Sequence, residues 1–157
     1  MPDKTDKDGP FPAAASTSES SSGTPDLREI EFERIQRKDS NVGPNEAKQV
    51  VILSWDDFDT FFNNKTVDRP AVDFNREQLI AVSMGKHTSS GFSIQIVTVK
   101  HGSGFGIPRT YVEFIEKRPA PGQIVSDVLT YPTDIVKVPI LDGSAKFSRI
   151  VPKGQAA

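Results

Sequence analysis

Alternating apolar and polar residues predict short β-strands along most of the chain. Residues 28–37, REIEFERIQR, alternate acidic and apolar side chains as a half-buried strand does, although a helix over the same residues is also compatible with the pattern. In residues 91–100 the apolar residues occupy even positions up to Ile96 and odd positions from Val97. This switch predicts a β-bulge there or burial on both faces. Pro139 favours an edge position for its strand, because proline cannot donate to a ladder. The other predicted strands are 49–53 (buried), 77–85, 91–100, 109–117, 135–141 and 147–151.

One segment has a helical pattern. In residues 54–64, SWDDFDTFFNN, the residues Trp55, Phe58 and Phe62 share one face, and Ser54 with Asp57 forms a plausible capping box. Turn-rich connectors are predicted over 38–47, 101–108 and 118–123, while 124–134 has no clear assignment. Because the strands follow one another mostly without helices, we predict antiparallel pairing. The predicted fold is mainly β (α+β): a compact sheet or sandwich-like domain with one short helix near 54–64.

Composition divides the 157 residues into three parts. Residues 1–27 are rich in Ser, Pro, Asp and Ala, hold one aromatic residue, and are interpreted as a disordered tail or tether. We expect a single domain over residues 28–152 and a frayed C-terminus over 153–157. The tail carries five acidic and two basic residues, so residues 28–157 are near neutral, with 17 basic and 16 acidic residues. This balance gives no reason to expect a nucleic-acid partner.

The absence of cysteine excludes disulfides, thiolate nucleophiles and zinc–thiolate sites. No apolar run approaches the length of a membrane span, and none follows Met1 as a signal peptide would require. The tail nevertheless resembles a tether that follows a removed signal or lipid anchor. We therefore expect an extracellular, periplasmic or cell-envelope location, with a leader or a flexible cytoplasmic arm as the alternative.

Three kinds of chemical site can be weighed from the residues. Gly85-Lys86 and the stretch 102–106, GSGFG, both precede strands rather than helices, so neither offers a phosphate the helix N-terminus of a P-loop. His87 and His101 lie beyond opposite ends of a predicted strand and should not share a metal ion. A nucleophilic Ser89 or Ser90 beside His87 is a less favoured hydrolase hypothesis, because neighbours in one loop seldom form a triad. No metal and no cofactor is expected.

What remains are short glycine- or proline-rich loops attached to strands, which is a common arrangement for recognition surfaces. The alternative is that these glycines and prolines only turn the chain. The candidate loops are 87–91, 102–107 and 118–122. The candidate partner-binding residues are His87, Thr88, Ser89, Ser90, Gly91, Gly104, Phe105, Arg118, Pro119 and Pro121.

Three stretches together resemble the C-terminal domain family of PrcB, a protease-complex subunit, over about residues 29–140. They are VDFNREQLIAVSMGKHTSSGFSIQI, EKRPAPGQIVSDVLTYPTDIVKVP and IEFERI with QVVILSWDDFDTFF. The sequence departs from the family pattern at His87 and Ser90, where a proline and a glycine are usual, and in a longer turn at 101–109. The matching positions are Asp73, Phe74, Gly85, Thr88, Gly91, Phe92, Ile94, Pro119, Pro121, Gly122, Leu129, Thr130, Pro132, Ile135, Val136 and Pro139.

The resemblance implies a small, non-catalytic, secreted or envelope-attached bacterial domain, whose founding relative stabilises a partner protease. We therefore expect a protein-binding module that acts as an accessory or stabilising subunit of a partner protease, or that binds another envelope protein, and we expect a monomer. A looser resemblance links HTSSGF, GSGFG and KRPAPG to the three loops of chagasin-type inhibitors of cysteine proteases. Here the loops are more closely spaced, and Ala120 stands where those inhibitors have an aromatic residue. Protease inhibition is the alternative function.

Overall fold

The computed structural model describes residues 26–37 and 42–151. The predicted tail and frayed C-terminus therefore fall almost entirely outside the described residues. The elements in chain order are β1 (Arg28–Glu29), β2 (Glu33–Arg34), β3 (Ala47–Ile52), α1 (Trp55–Phe61), β4 (Glu77–Met84), β5 (Ser93–Gly104), β6 (Ile107–Lys117), β7 (Thr133–Pro139) and β8 (Ser144–Arg149).

The strands form two four-stranded sheets with the orders β1-β5-β6-β8 and β2-β7-β4-β3. This arrangement confirms the mainly β, sandwich-like prediction. All pairs are antiparallel except β6 with β8, which run parallel and depart from the predicted pairing. After β6 the chain crosses to the other sheet, where it forms β7, and then returns to the first sheet. β8 therefore runs in the same direction as β6. The core between the sheets contains Ile80, Val82, Ile96, Val99, Val112, Phe114, Val136 and Val138.

The two central strands of the second sheet, β4 and β7, are buried on both faces. Helix α1 packs its Phe58 and Phe61 on the outer face, against Leu79, Ala81 and Ile135. This burial explains why β4 reads as a nearly continuous apolar run rather than an alternating one.

The predicted capping of α1 is confirmed. Ser54 is the N-cap, and its Oγ accepts a hydrogen bond from Asp57 N at 3.1 Å. The Asp57 carboxylate in turn accepts from Leu53 N at 3.0 Å, one residue before the Ser54 N–H that a capping box would use. The helix ends at Phe61, earlier than the pattern predicts, because Asn63 and Asn64 take the left-handed conformation with φ of 58° and 61°.

Residues 28–37 are extended as predicted, but they do not form one strand. β1 pairs with β5 in one sheet and β2 pairs with β7 in the other, so the chain crosses between the sheets. Ile30 lies at the crossing, buried, and its N–H donates to Val99 O at 2.7 Å. Placing Ile30 between the sheets buries more apolar surface than one straight edge strand would.

Three further predictions are corrected by the tertiary structure. The strand predicted as buried over 49–53 is β3, an edge strand whose following residue Leu53 is 56% exposed. The strand containing Pro139 lies between β2 and β4, and Pro139 is tolerated because it is the last residue of β7, beyond the two-residue β2. Most of the connector predicted over 101–108 belongs to β5 and β6, which run on until a tight turn.

The predicted bulge is present in β5, where the pairing with β6 shifts between Ile96 and Thr98. Beside it, Ile96 N donates to the buried Asp134 carboxylate at 2.8 Å, across the two sheets. Arg34 donates to the same carboxylate at 3.0 Å and to Ile96 O at 2.6 Å. The backbone of Ile96 is therefore held by an ion pair from the opposite sheet, which no local pattern predicted.

Candidate partner-binding surface

Residues 87–91 and 118–130 are held together at one end of the domain, and we call them the paired-loop surface. His87 and Thr130 exchange both backbone hydrogen bonds, each 2.8 Å long. Ser90 N donates to Ser126 O at 3.0 Å, and Ser126 N donates to Ser90 Oγ at 2.9 Å. Thr130 Oγ1 donates to Ser89 O at 3.0 Å. These bonds give two irregular segments a defined mutual position.

Two features explain how the segments approach so closely. Gly91 has a φ of 99°, and a Cβ atom built there would lie 2.8 Å from Pro119 Cγ. Pairing of Ser93 with Lys117 brings the start of β5 beside the end of β6, so the two loops leave the same sheet end. The absence of a side chain at Gly91 therefore lets the proline-rich loop pack on the threonine–serine loop.

His87 is turned toward the protein rather than toward a partner. Its ring stacks on Phe92, with the centroids 4.0 Å apart and an angle of 18° between the planes. Its Nε2 lies 3.2 Å from Met84 O, a distance that suits an N–H donating to that carbonyl. Phe92 packs in turn against the core, so His87 supports the loop, while its neighbour Thr88 is exposed.

The same surface exposes aliphatic side chains that the sequence analysis left unassigned. Ile124 is 96% exposed, and Val128 and Leu129 are each 46% exposed. Isolated surface aliphatics are ordinary, but three within six residues of an irregular segment form a local apolar group. Their signal in the sequence was an aliphatic-rich stretch, IVSDVL, that fits neither a strand nor a polar loop. Arg118, Pro119 and Pro121 lie on the same segment, with Arg118 Nη2 3.2 Å from Glu116 Oε1.

Gly104 and Phe105 lie at the other end of the molecule. Gly104 is the last residue of β5 and Phe105 follows it, and the 12 residues of β5 begin beside the paired-loop surface. At about 3.3 Å per residue, the strand separates them from that surface by about 36 Å. The structure therefore brings two of the three candidate loops together and leaves the third apart.

The chemical candidates find no support in the geometry. Within the described residues, no hydrogen bond joins His87 to Ser89 or Ser90. No group of three His, Asp or Glu side chains in residues 26–37 and 42–151 is placed to hold a metal ion. His101 Nε2 contacts Asp142 O at 3.0 Å, at the opposite end from His87.

A separate cavity of about 410 Å³ lies between residues 35–37, α1 and residues 67–70. Its walls include Phe58 and Phe62, and its rim carries two arginines. Arg69 pairs with Asp59 at 3.0 Å, and the guanidinium of Arg37 lies over the Phe62 ring at 5.1 Å. Both cations already have partners, and the lining mixes apolar side chains with the polar groups of Gln36 and Asp68.

The fold and the surface define a class: a two-sheet β domain that presents two irregular loops joined by hydrogen bonds. Residues 79–139 match the family model described as PrcB C-terminal, which confirms the resemblance. This match spans 61 of the 157 residues, from β4 to the end of β7, and includes the whole paired-loop surface. No curated protein and no solved structure matches the chain. Among the described helices, none has the length and apolar character of a membrane span.

Proposed function

We propose that the chain is a non-catalytic protein-binding module that docks on, and stabilises, a partner protease of the bacterial envelope or secreted space. The observation that carries the proposal is the paired-loop surface itself. Six residues expose three aliphatic side chains on a segment held by hydrogen bonds to a second loop. The match to the PrcB C-terminal family supports a protease-related partner, since it covers both loops.

The surface combines exposed apolar area with a backbone that is already held in place. Ile124 and Leu129 supply apolar area that a partner could bury, and Thr88 adds an exposed hydroxyl beside them. The loops are already ordered by their mutual hydrogen bonds, so binding pays less conformational entropy than it would for two free loops. Burying Ile124 and Leu129 would contribute about 3 kcal/mol together, or about 100-fold in affinity.

Affinity capture from the envelope fraction of the source organism, with the full chain as bait, tests the proposal. We expect a protease among the proteins captured, and its loss when Ile124→Asp and Leu129→Asp are combined. Ile140→Asp is the matched control, because Ile140 is 47% exposed but follows β7 at the other end of the second sheet. Retention of the protease by the double variant, or its loss in the control, would contradict the proposed surface.

Inhibition of a papain-like protease has less support from the geometry. The second loop of that comparison, GSGFG, contains Gly104 and Phe105, which lie about 36 Å from the paired-loop surface along β5. Inhibition constants against a panel of papain-like proteases test this alternative. Inhibition at micromolar concentrations would favour it over stabilisation of a partner.

A further inference from the structure

The turn between β5 and β6 carries a residue that its backbone does not favour. Gly104 pairs with Ile107, so Phe105 and Gly106 are the two central residues of the hairpin. Both have positive φ, 53° and 76°, as in a type I′ turn. Such turns favour Asn, Asp or Gly at the first central position, because a bulky side chain is strained there. Folding alone therefore does not explain Phe105.

Phe105 does not pack against the protein either, since 84% of its surface is exposed. Ile107 is 55% exposed two residues later, and the stretch 102–108, GSGFGIP, contains no charged residue. The backbone of Asp26 and Leu27 lies against Gly102, and Leu27 is 39% exposed. The hairpin tip, residues 102–108, is thus an uncharged projection with two large apolar side chains.

Basic residues surround the base of this tip. Arg109 follows it directly, and the next row on the same face of the sheet reads Lys100, Tyr111, Lys146 across three strands. Arg28 pairs with His101 on the neighbouring strand. Three acidic residues lie at the same end: the backbone of Asp26 is against Gly102, Glu29 pairs with Lys100, and Asp142 O contacts His101. The basic residues at this end number four: Arg28, Lys100, Arg109 and Lys146. On β6 and in the next row, the charged groups nearest the tip are Arg109, Lys100 and Lys146, and all three are positive.

We propose that the hairpin tip docks on an anionic lipid surface. Phe105 and Ile107 enter the boundary between headgroups and acyl chains, where interfacial elements bury apolar side chains about 5–10 Å deep. Arg109 then lies about 7 Å behind Ile107, and the row of Lys100 and Lys146 about 13 Å behind it. Arg109 reaches the headgroups directly, and the lysines act within about one Debye length of them.

This site lies at the opposite end of β5 from the paired-loop surface, so it does not rest on the proposed function. A molecule docked by its tip would present the paired loops away from the lipid. The two proposals can therefore fail separately: variants of the tip should leave capture of the partner unchanged, and variants of the paired loops should leave lipid binding unchanged.

Co-sedimentation of the full chain with vesicles tests the proposal. One set contains phosphatidylcholine with phosphatidylglycerol, and the other contains phosphatidylcholine alone. We expect binding to the mixed vesicles that weakens as salt is raised, and weaker binding to the neutral ones. Phe105→Asn should lower the partition coefficient by about 10-fold or more without lowering the melting temperature, because asparagine suits the turn. Val151→Asn, a 43% exposed aliphatic at the other end of the sheet, is the control and should bind as the natural chain does.

The charge contribution is measured with Lys100→Gln and Lys146→Gln. Each should lower binding to the mixed vesicles by about 5-fold and leave binding to neutral vesicles unchanged. Equal binding by the natural chain and Phe105→Asn would overturn the proposal. Failure of the natural chain to bind either set of vesicles would also overturn it, and would favour an apolar pocket of a protein partner as the alternative.

Discussion

Asp134 is the residue whose removal should disturb the fold most specifically, because it joins the two sheets. It is only 7% exposed, and its carboxylate accepts hydrogen bonds from Ile96 N at 2.8 Å and from Arg34 Nε at 3.0 Å. Asp134→Ala removes both acceptors at once. The Ile96 N–H then stays buried beside the bulge without a partner, and the Arg34 guanidinium loses its counterion.

The expected cost follows from these two contacts. A hydrogen bond to a charged group contributes about 1.5–3 kcal/mol, and leaving its buried donor unsatisfied adds to the loss. Breaking a fully buried ion pair costs about 3–5 kcal/mol, but the Arg34 side chain is 33% exposed and can be hydrated by water. We therefore expect Asp134→Ala to lower the free energy of unfolding by about 3 kcal/mol.

Urea unfolding of the full chain, followed by tryptophan fluorescence from Trp55, measures this loss. With a slope of about 2 kcal/mol per molar urea, the midpoint should fall by about 1.5 M. Asp134→Asn keeps an acceptor for Ile96 N and should cost less, about 1–2 kcal/mol. A double-mutant cycle with Arg34→Ala should give a coupling free energy of about 1 kcal/mol.

The result that would refute this reasoning is a change of less than about 0.5 kcal/mol in Asp134→Ala, the size expected of an ordinary surface substitution. Such a value would mean that the Ile96 N–H finds another partner or remains hydrated. A coupling free energy near zero would separately show that Arg34 and Asp134 do not act as a pair.

Three further predictions concern local features of the backbone. Ser54→Ala should lower the free energy of unfolding by about 1 kcal/mol through loss of the helix cap, and Ser54→Asp should restore it in the same urea assay. Gly91→Ala should destabilise by about 2 kcal/mol, because alanine is strained at a φ of 99° and its Cβ would press on Pro119; an unchanged midpoint would show that the proline loop can move away. Phe105→Asn should raise stability by about 1 kcal/mol by relieving the strained turn, and a fall in melting temperature would instead indicate that Phe105 packs on the protein.

The local patterns of the sequence determined much of the secondary structure. Helix α1 and its Ser54 cap were predictable because capping and the spacing of aromatic residues act over a few positions. The bulge at Val97 was predictable because a shift in apolar parity has to be absorbed within one strand. The family resemblance likewise depended on the order of short motifs, and it is confirmed over residues 79–139.

Tertiary structure alone decided how these elements meet. Whether a strand lies at an edge depends on its neighbours, so β3 was predicted as buried and β7 as an edge, each wrongly. Arg34 and Asp134 are 100 positions apart, and Ser90 and Ser126 are 36 apart, so their contacts have no local signal. The exposure of Ile124 could not be predicted for the same reason. Apolar residues are buried only where another segment covers them, and the sequence around Ile124 does not say which segment that is.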